Sequence, residues 1–353
     1  MLLCKIILKL YLATSKIRKM KIRKIALCLF CLVLSFTACK KNDVSTELEE
    51  RDRTEQQIID NDSIIGYLET HYYNSSAFGA SNPNPSLTDL VITELPEDGM
   101  MPDPGNNTLL IDDVEKIDAV NADIDYELYI LKLNQGGGDS PEFSDKVRVI
   151  YEGSLLDDSV FDSTVNPVTF DLLSLVRGWS KAMPHFSASE GFNDVGDGTV
   201  EFNNFGVGVM FLPSGLGYYA NATLNIPAYS PLIFKIELYQ VSQNDDDRDG
   251  IPSFMEDLND DLQFTIEDDD TDGDLTPDYA DVEDDGDGKL TSKEITVTTY
   301  NKATREEIEN MPIGADEVLI KIIEESDGTF TGTVLTLYDT DGNGIPNYLD
   351  KNK

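Results

Sequence analysis

VRVIYEGSLLDDSVFDST at residues 147–164, FDLLSLVRGW at 170–179, LPSGLGYY at 212–219 and IPAYSPLIFKIELYQV at 226–241 decide the reading of this chain. Their aromatic and branched residues recur where a shallow apolar pocket would need them. Upstream, Tyr126, Leu128 and Ile130 alternate with Glu127, Tyr129 and Leu131 and predict a strand. GGGDS at 136–140 breaks it before the next strand at 146–151. Further strands are expected near 207–212 and 232–241, and a short helix near 174–183. Strands in series with one helix packed on a face make an α+β pattern.

Taken singly, a large apolar side chain is most often core. Taken together, the order and spacing of these motifs over residues 122–241 resemble the FKBP-type peptidyl-prolyl cis-trans isomerases. The resemblance implies an antiparallel β-sheet wrapped on a short helix, and a pocket that binds proline-containing polypeptides without any catalytic cofactor. Its floor would be Trp179, the single tryptophan, in the turn Val176-Arg177-Gly178-Trp179. Its walls would be Tyr151, Phe161 and Phe234, with Asp162 as the acid beside Phe161. Tyr218 would hold the peptide carbonyl through its hydroxyl, and Ile226 would supply a backbone contact and an apolar edge. Three departures bear on the substrate. Val168 stands where the family often has another pocket aromatic, and Tyr219 follows Tyr218 where glycine is common. The polar insert SASEGFNDVGDGTVEFNNFG at 187–206 is expected to cover or extend the pocket.

After residue 243 the composition changes: residues 245–294 hold 21 acidic and three basic side chains. So much like charge opposes an ordinary apolar core without counter-charge. Four twelve-residue units nevertheless share a register, with oxygen-bearing side chains at positions 1, 3, 5 and 12. They are Asp245, Asp247, Asp249 and Glu256; Asp270, Asp272, Asp274 and Asp281; Glu283, Asp285, Asp287 and Glu294; and Asp339, Asp341, Asn343 and Asp350. Alternating carboxylates let a tight loop wrap a hard cation, and glycine at position 6 permits the turn. Gly250, Gly288 and Gly344 comply, whereas Leu275 marks the second unit as the weakest. Ile-Pro follows the glycine in DRDGIPSFME and DGNGIPNYLD, so the units resemble thrombospondin type 3 repeats more than paired EF-hands. That resemblance implies structural calcium; the alternative is a solvated acidic spacer. Between the third and fourth units, ITVTTY, VLIKII and TVLTLY predict a small β-rich insert within 295–338.

The first 39 residues carry eight Lys or Arg and no acid, and run through an apolar stretch at 25–36 into Thr37-Ala38-Cys39. The stretch is short of the ~20 residues a membrane span needs, and its flanks are those of a secretory signal. Phe-Thr-Ala-Cys resembles the lipobox of bacterial lipoproteins, which implies lipidation at Cys39, with Met20 a plausible start. Cys4, Cys28 and Cys31 fall within the signal, so no intrachain disulfide is expected in the mature chain. The formal charge of −39 deepens to −47 on its removal, which argues against nucleic acid as a partner. His71 and His185 lie far apart and suggest neither zinc nor a Ser-His triad. Residues 55–73 are expected to be helical and 74–107 a long loop.

The expected organisation is a signal peptide over 1–38, a lipidated tether over 39–56, a helical and loop region over 57–121, the isomerase-like domain over 122–243 and the acidic repeat region over 244–353. The expected function is prolyl isomerisation in the bacterial cell envelope, anchored to the membrane through lipid. A non-catalytic peptide-binding module and a calcium-dependent structural surface lipoprotein are the alternatives.

Overall fold

Alternating side chains along one strand, Ile124–Asn134, build two cores at once. Leu128 and Ile130 join Met210, Leu212, Phe234 and Trp179 on one face, whereas Tyr129 and Leu131 join Val209, Phe211 and Ile233 on the other. The period of two along a strand produces this division. The computed structural model describes residues 50–352 apart from 80, 81, 197 and 326. The expected signal peptide, Cys39 and most of the tether lie outside the described residues.

The sheet is antiparallel and seven-stranded, in the order Glu115–Asn121, Ile124–Asn134, Gly206–Leu212, Leu232–Ser242, Lys146–Ser154. Val160–Ser163 and Val168–Asp171 both pair with the last of these, at its two ends. Phe234 sits opposite Gly153 on one side and Met210 on the other, so the pocket-bearing residues are fixed by register. The short helix Arg177–Ala182 packs on the first face.

The boundary expected at residue 122 cuts through a hairpin. Ala122 and Asp123 both take left-handed φ, 51° and 59°, and close a two-residue turn between the first two strands. Such turns match the twist of paired strands and favour Asn-Gly, so an Ala-Asp pair does not announce one. The sheet therefore begins at Glu115.

The tether expected to reach residue 56 ends at Asp52, whose side chain caps the helix Arg53–Thr70 by accepting the Glu55 N–H at 3.0 Å. This helix lies on the second core. Ile64 and Leu68 are fully buried there, with Tyr67 beside them, but Ile58 and Ile59 are 60% and 51% exposed. The buried stripe runs instead through Gln56 and Asp60, polar residues that pair with each other at 2.6 Å. Helix gives way after Thr70 to the strand His71–Tyr73, which pairs with Ile92–Glu94 and Thr108–Leu109. The region expected as one long loop thus contributes a small sheet. His71 stacks on Tyr67 with ring centroids 3.7 Å apart, a packing role.

Residues 244–294 form loops with short 3-10 turns and no strand. The β-rich insert follows as three antiparallel strands, Ile295–Lys302, Phe330–Leu337 and Glu317–Glu324 in spatial order. Ile251, Ile295, Leu335 and Tyr348 form a core that ties the first and fourth acidic loops to this sheet. The loops also pack on the isomerase-like domain, against its short helix and the loop before the strand Lys146–Ser154. Phe143 meets Phe264 at 5.1 Å, and the buried Lys181 ammonium donates to the carbonyls of Asp261 and Leu262, each at 2.9 Å.

Candidate functional site

Trp179, 2% exposed, is the floor of an aromatic box. Phe234 stands edge-on to it at 5.3 Å, Tyr151 at 5.9 Å and Phe170 at 6.1 Å between ring centroids. Phe161 extends the wall by packing on Phe234 at 5.6 Å. Edge-to-face geometry of this kind holds rings in place beyond their area burial. Gly153 is required by it: a Cβ there would lie 2.6 Å from the Phe161 ring and 3.0 Å from Phe234. Val176 and Ile226 pack at the margin. Tyr151 donates its hydroxyl to Asp162 Oδ2 at 2.5 Å, and burial followed by this carboxylate pushes the phenol well above its ordinary range. The helix bearing Trp179 opens at Val176 with no side-chain cap, so its first N–H groups have no side chain to satisfy them.

Tyr218 sits 37% exposed on the loop between Leu212 and Leu232, and its hydroxyl has no hydrogen-bond partner among the described residues. It lies within electrostatic reach of the Tyr151 hydroxyl. The N-terminal helix braces this loop. Asp60, 1% exposed, accepts from Ser214 N at 2.8 Å and Ser214 Oγ at 2.6 Å. Burial raises the Asp60 carboxyl pKa, and the Ser214 and Gln56 hydrogen bonds oppose that shift. Tyr219 takes a left-handed φ of 48°, donates its hydroxyl to the Arg51 carbonyl and lies 4.0 Å under the Arg53 guanidinium. Arg51 in turn covers the Tyr229 ring at 4.3 Å.

The four acidic loops share one hydrogen-bonded frame. The N–H at position 9 donates to the carbonyl before position 1: Ser253 to Asn244 at 3.0 Å, Asp278 to Asp269 at 2.6 Å, Thr291 to Val282 at 3.1 Å and Asn347 to Tyr338 at 2.6 Å. The N–H at position 7 donates to the side chain at position 5: Ile251 to Asp249, Thr276 to Asp274, Lys289 to Asp287 and Ile345 to Asn343, at 2.6–2.8 Å. Positions 4 and 6 are left-handed in every loop, and Leu275 conforms at φ 80° despite its Cβ. A side chain there costs about 1–2 kcal/mol, partly offset by the entropy that glycine loses on folding. Leu275→Gly is therefore expected to stabilise the full chain by about 0.5–1 kcal/mol; a thermal melt that falls instead would show the loop to be unstrained.

Asp270, Asp272 and Asp274 converge, as do Glu283, Asp285 and Asp287. In the first loop Asp247, Asp249 and Glu256 converge with a residue outside the expected set, Asp284, one oxygen of each lying within 4.8 Å of the others. Asp245 lies outside that group, with Oδ1 buried and unpartnered. Of the position-12 residues, Glu256 joins its loop, whereas Asp281 accepts the Glu283 N–H at 3.0 Å and Glu294 pairs with Lys289 at 3.2 Å. In the fourth loop Asn343 donates to Asp350 at 2.7 Å, and Asp339 and Asp341 accept N–H groups within the turn. Burial, then the charges of Asp249 and Asp247, push the Glu256 carboxyl up to about 11. Burial with neighbouring carboxylates raises Asp284 to about 9 and Asp247 to about 8. Oxygen-only donors whose charges repel in this way suit a hard divalent cation such as calcium.

The family model for FKBP-type peptidyl-prolyl cis-trans isomerase matches residues 137–239, which contain all of the box. The chain is also 30% identical over 113 residues to the FKBP-type 22 kDa peptidyl-prolyl cis-trans isomerase of Escherichia coli, covering 31% of this chain and 47% of that protein. It carries an FKBP-type peptidyl-prolyl cis-trans isomerase domain. The isomerase FkpA of Aeromonas hydrophila is 30% identical over 118 residues, 33% of this chain and 38% of that one. Outer membrane protein MIP of Legionella longbeachae is 30% identical over 115 residues, 31% and 42%. The chain thus spans less than half the length of these relatives. A second family model, BamM C-terminal, matches residues 246–320.

Within the FKBP-type domain, three expectations change. Phe170 supplies the wall that Val168 seemed to leave open: the two lie on the same side of the strand Val168–Asp171, and Phe170 packs on Tyr151 at 5.6 Å. The insert folds as the hairpin Gly191–Asp194 and Val200–Asn203, and its Phe202 packs on Tyr239 at 4.8 Å on the second core. It therefore covers the sheet face away from the box. Ile226 keeps its apolar edge, but its N–H is committed to Thr223 Oγ1 at 3.1 Å.

Proposed function

We propose that this protein is a prolyl isomerase of the bacterial envelope that acts on proline-containing polypeptides, with C-terminal loops that bind calcium structurally. The aromatic box on Trp179 carries this reading, with the exposed Tyr218 hydroxyl as the proposed hydrogen-bond donor to substrate. Amide resonance opposes rotation of an X-Pro bond by about 18–20 kcal/mol, although cis and trans differ by only about 0.5–1 kcal/mol. No nucleophile is needed. A prolyl ring seated on Trp179 removes the amide from water, and desolvation favours the twisted amide, whose charge separation is smaller. Tyr218 donates to a substrate carbonyl and so holds the peptide with its prolyl ring seated on Trp179, while in the twisted state the prolyl nitrogen gains the basicity that resonance denies it in the planar one. The effect is stronger binding of the transition state than of either isomer.

Supports for the envelope are the lipobox resemblance at Cys39 and the similarity to a protein named for the outer membrane. Among the described residues no helix is long and apolar enough to cross a membrane. Calcium is supported by the converging oxygens of the first three loops. The committed Ile226 amide favours, as a second reading, a pocket that holds peptide without turning it over.

Exchange NMR on a panel of X-Pro peptides tests the choice. The full chain is expected to accelerate cis-trans exchange, and Tyr218→Phe to reduce kcat/KM about tenfold, the worth of one hydrogen bond to a transition state. Peptide binding without acceleration would select the second reading.

A further inference from the structure

We infer that Asp284 of the third acidic loop completes the cation site of the first, so that one divalent cation joins the two loops. The inference rests on the calcium reading above and concerns which residues share an ion. Asp284 occupies position 2, a place that the alternation of ligands at positions 1, 3, 5 and 12 leaves unused. It is nevertheless 2% exposed, and Oδ1 has no partner. Its other oxygen accepts from Thr291 Oγ1 at 3.1 Å, which fixes the direction of the carboxylate.

That direction is toward the first loop. One carboxylate oxygen from each of Asp247, Asp249, Glu256 and Asp284 lies within 4.8 Å of the others, whereas the third loop's own group is Glu283, Asp285 and Asp287 without Asp284. Glu256 is an independent pointer to a ligand: it is fully buried and neither carboxylate oxygen has a partner. One oxygen each of Asp247 and Asp249 is buried and unpartnered as well. A buried carboxylate oxygen without a partner is costly, and four such groups that face one another call for a cation or for bound protons between them. Four convergent oxygens, with the second oxygen of Glu256 also unpartnered, supply most of the six to eight oxygen ligands that calcium takes in its flexible geometry. The equivalent position in the first loop behaves differently, since Asp246 is satisfied by Ser253 and Asn244. Positions 271 and 340 are threonines. Only the third loop therefore lends a position-2 carboxylate to a neighbour among the described residues. An ion at this place would cross-link residues 247 and 284 across a stretch that has no strand of its own.

Calcium calorimetry on the full chain, with limited proteolysis of the intervening 257–283 stretch, tests this. Asp284→Asn and Glu256→Gln are each expected to remove the same binding event, or weaken it at least tenfold, and to lose calcium-dependent protection of that stretch. The double variant should lose no more than either alone, and Asp285→Asn should remove a different event. If Asp284→Asn raises the calcium-free melting temperature but keeps the native stoichiometry and affinity while Glu256→Gln loses one ion, the shared site is overturned and the calcium reading stands. No calcium uptake by the unaltered chain would overturn both.

Discussion

Calcium withdrawal with EGTA is expected to lower the thermal stability of the full chain more than any single surface substitution, and to do so increasingly as pH rises. Each site held at about a hundredfold over its dissociation constant contributes about 2.7 kcal/mol by mass action. The pH trend follows from the buried carboxyls. Asp247, Asp284 and Glu256 have folded-state pKa values raised to about 8, 9 and 11. The unfolded chain releases the same protons near pH 4. Between those limits the calcium-free folded state holds more protons than the unfolded one, so stability falls with rising pH, by about 1.4 kcal/mol per pH unit for each proton of difference. Melting curves in EGTA from pH 5 to 8 should descend, and saturating calcium should flatten them. A calcium-free chain equally stable at both ends of that range would show that the cluster is not buried as described.

The second large effect is at the box. Asp162→Asn leaves Tyr151 with a neutral acceptor in place of a carboxylate; hydrogen bonds to charged groups are worth about 1.5–3 kcal/mol. Part of that difference should appear as a fall in kcat/KM of about tenfold, because Tyr151 stands edge-on to Trp179 as a wall of the box. Trp179→Ala removes the floor and is expected to lose over a hundredfold, with a stability cost of about 3–5 kcal/mol. Exchange NMR gives the rates and circular dichroism checks folding. Native turnover in a folded Trp179→Ala variant would place catalysis elsewhere.

The box was legible in the sequence because it is local: Tyr151, Phe161, Asp162, Val176 and Trp179 fall within thirty residues, and strand register brings Phe234 to Gly153. Phe170 was harder to assign than Val168 because both face the same side of one strand, and only the position of Trp179 decides which ring closes the wall. The twelve-residue register of the acidic loops was legible for the same reason as the box. Asp284 was not, since a ligand lent to a distant loop leaves no periodic trace. The helix Arg53–Thr70 was visible, but its buried face was not. Ile58 and Ile59 outweigh Gln56 and Asp60 in any hydropathy reading, whereas a matching hydroxyl at Ser214 makes the polar pair the buried one.

That pairing has a dynamic consequence. The loop carrying Tyr218 is clasped at Ser214 by Asp60, at Tyr219 by Arg51 and Arg53, and at Tyr229 by Arg51. Loop and helix must then open together, as one cooperative unit, before either exchanges its amide hydrogens. The reach of the pocket for a peptide is thereby set by residues some 160 positions upstream in the chain. A transplant of the isomerase sheet alone would carry a rim free to wander; one that starts at Arg51 would bring its own splint.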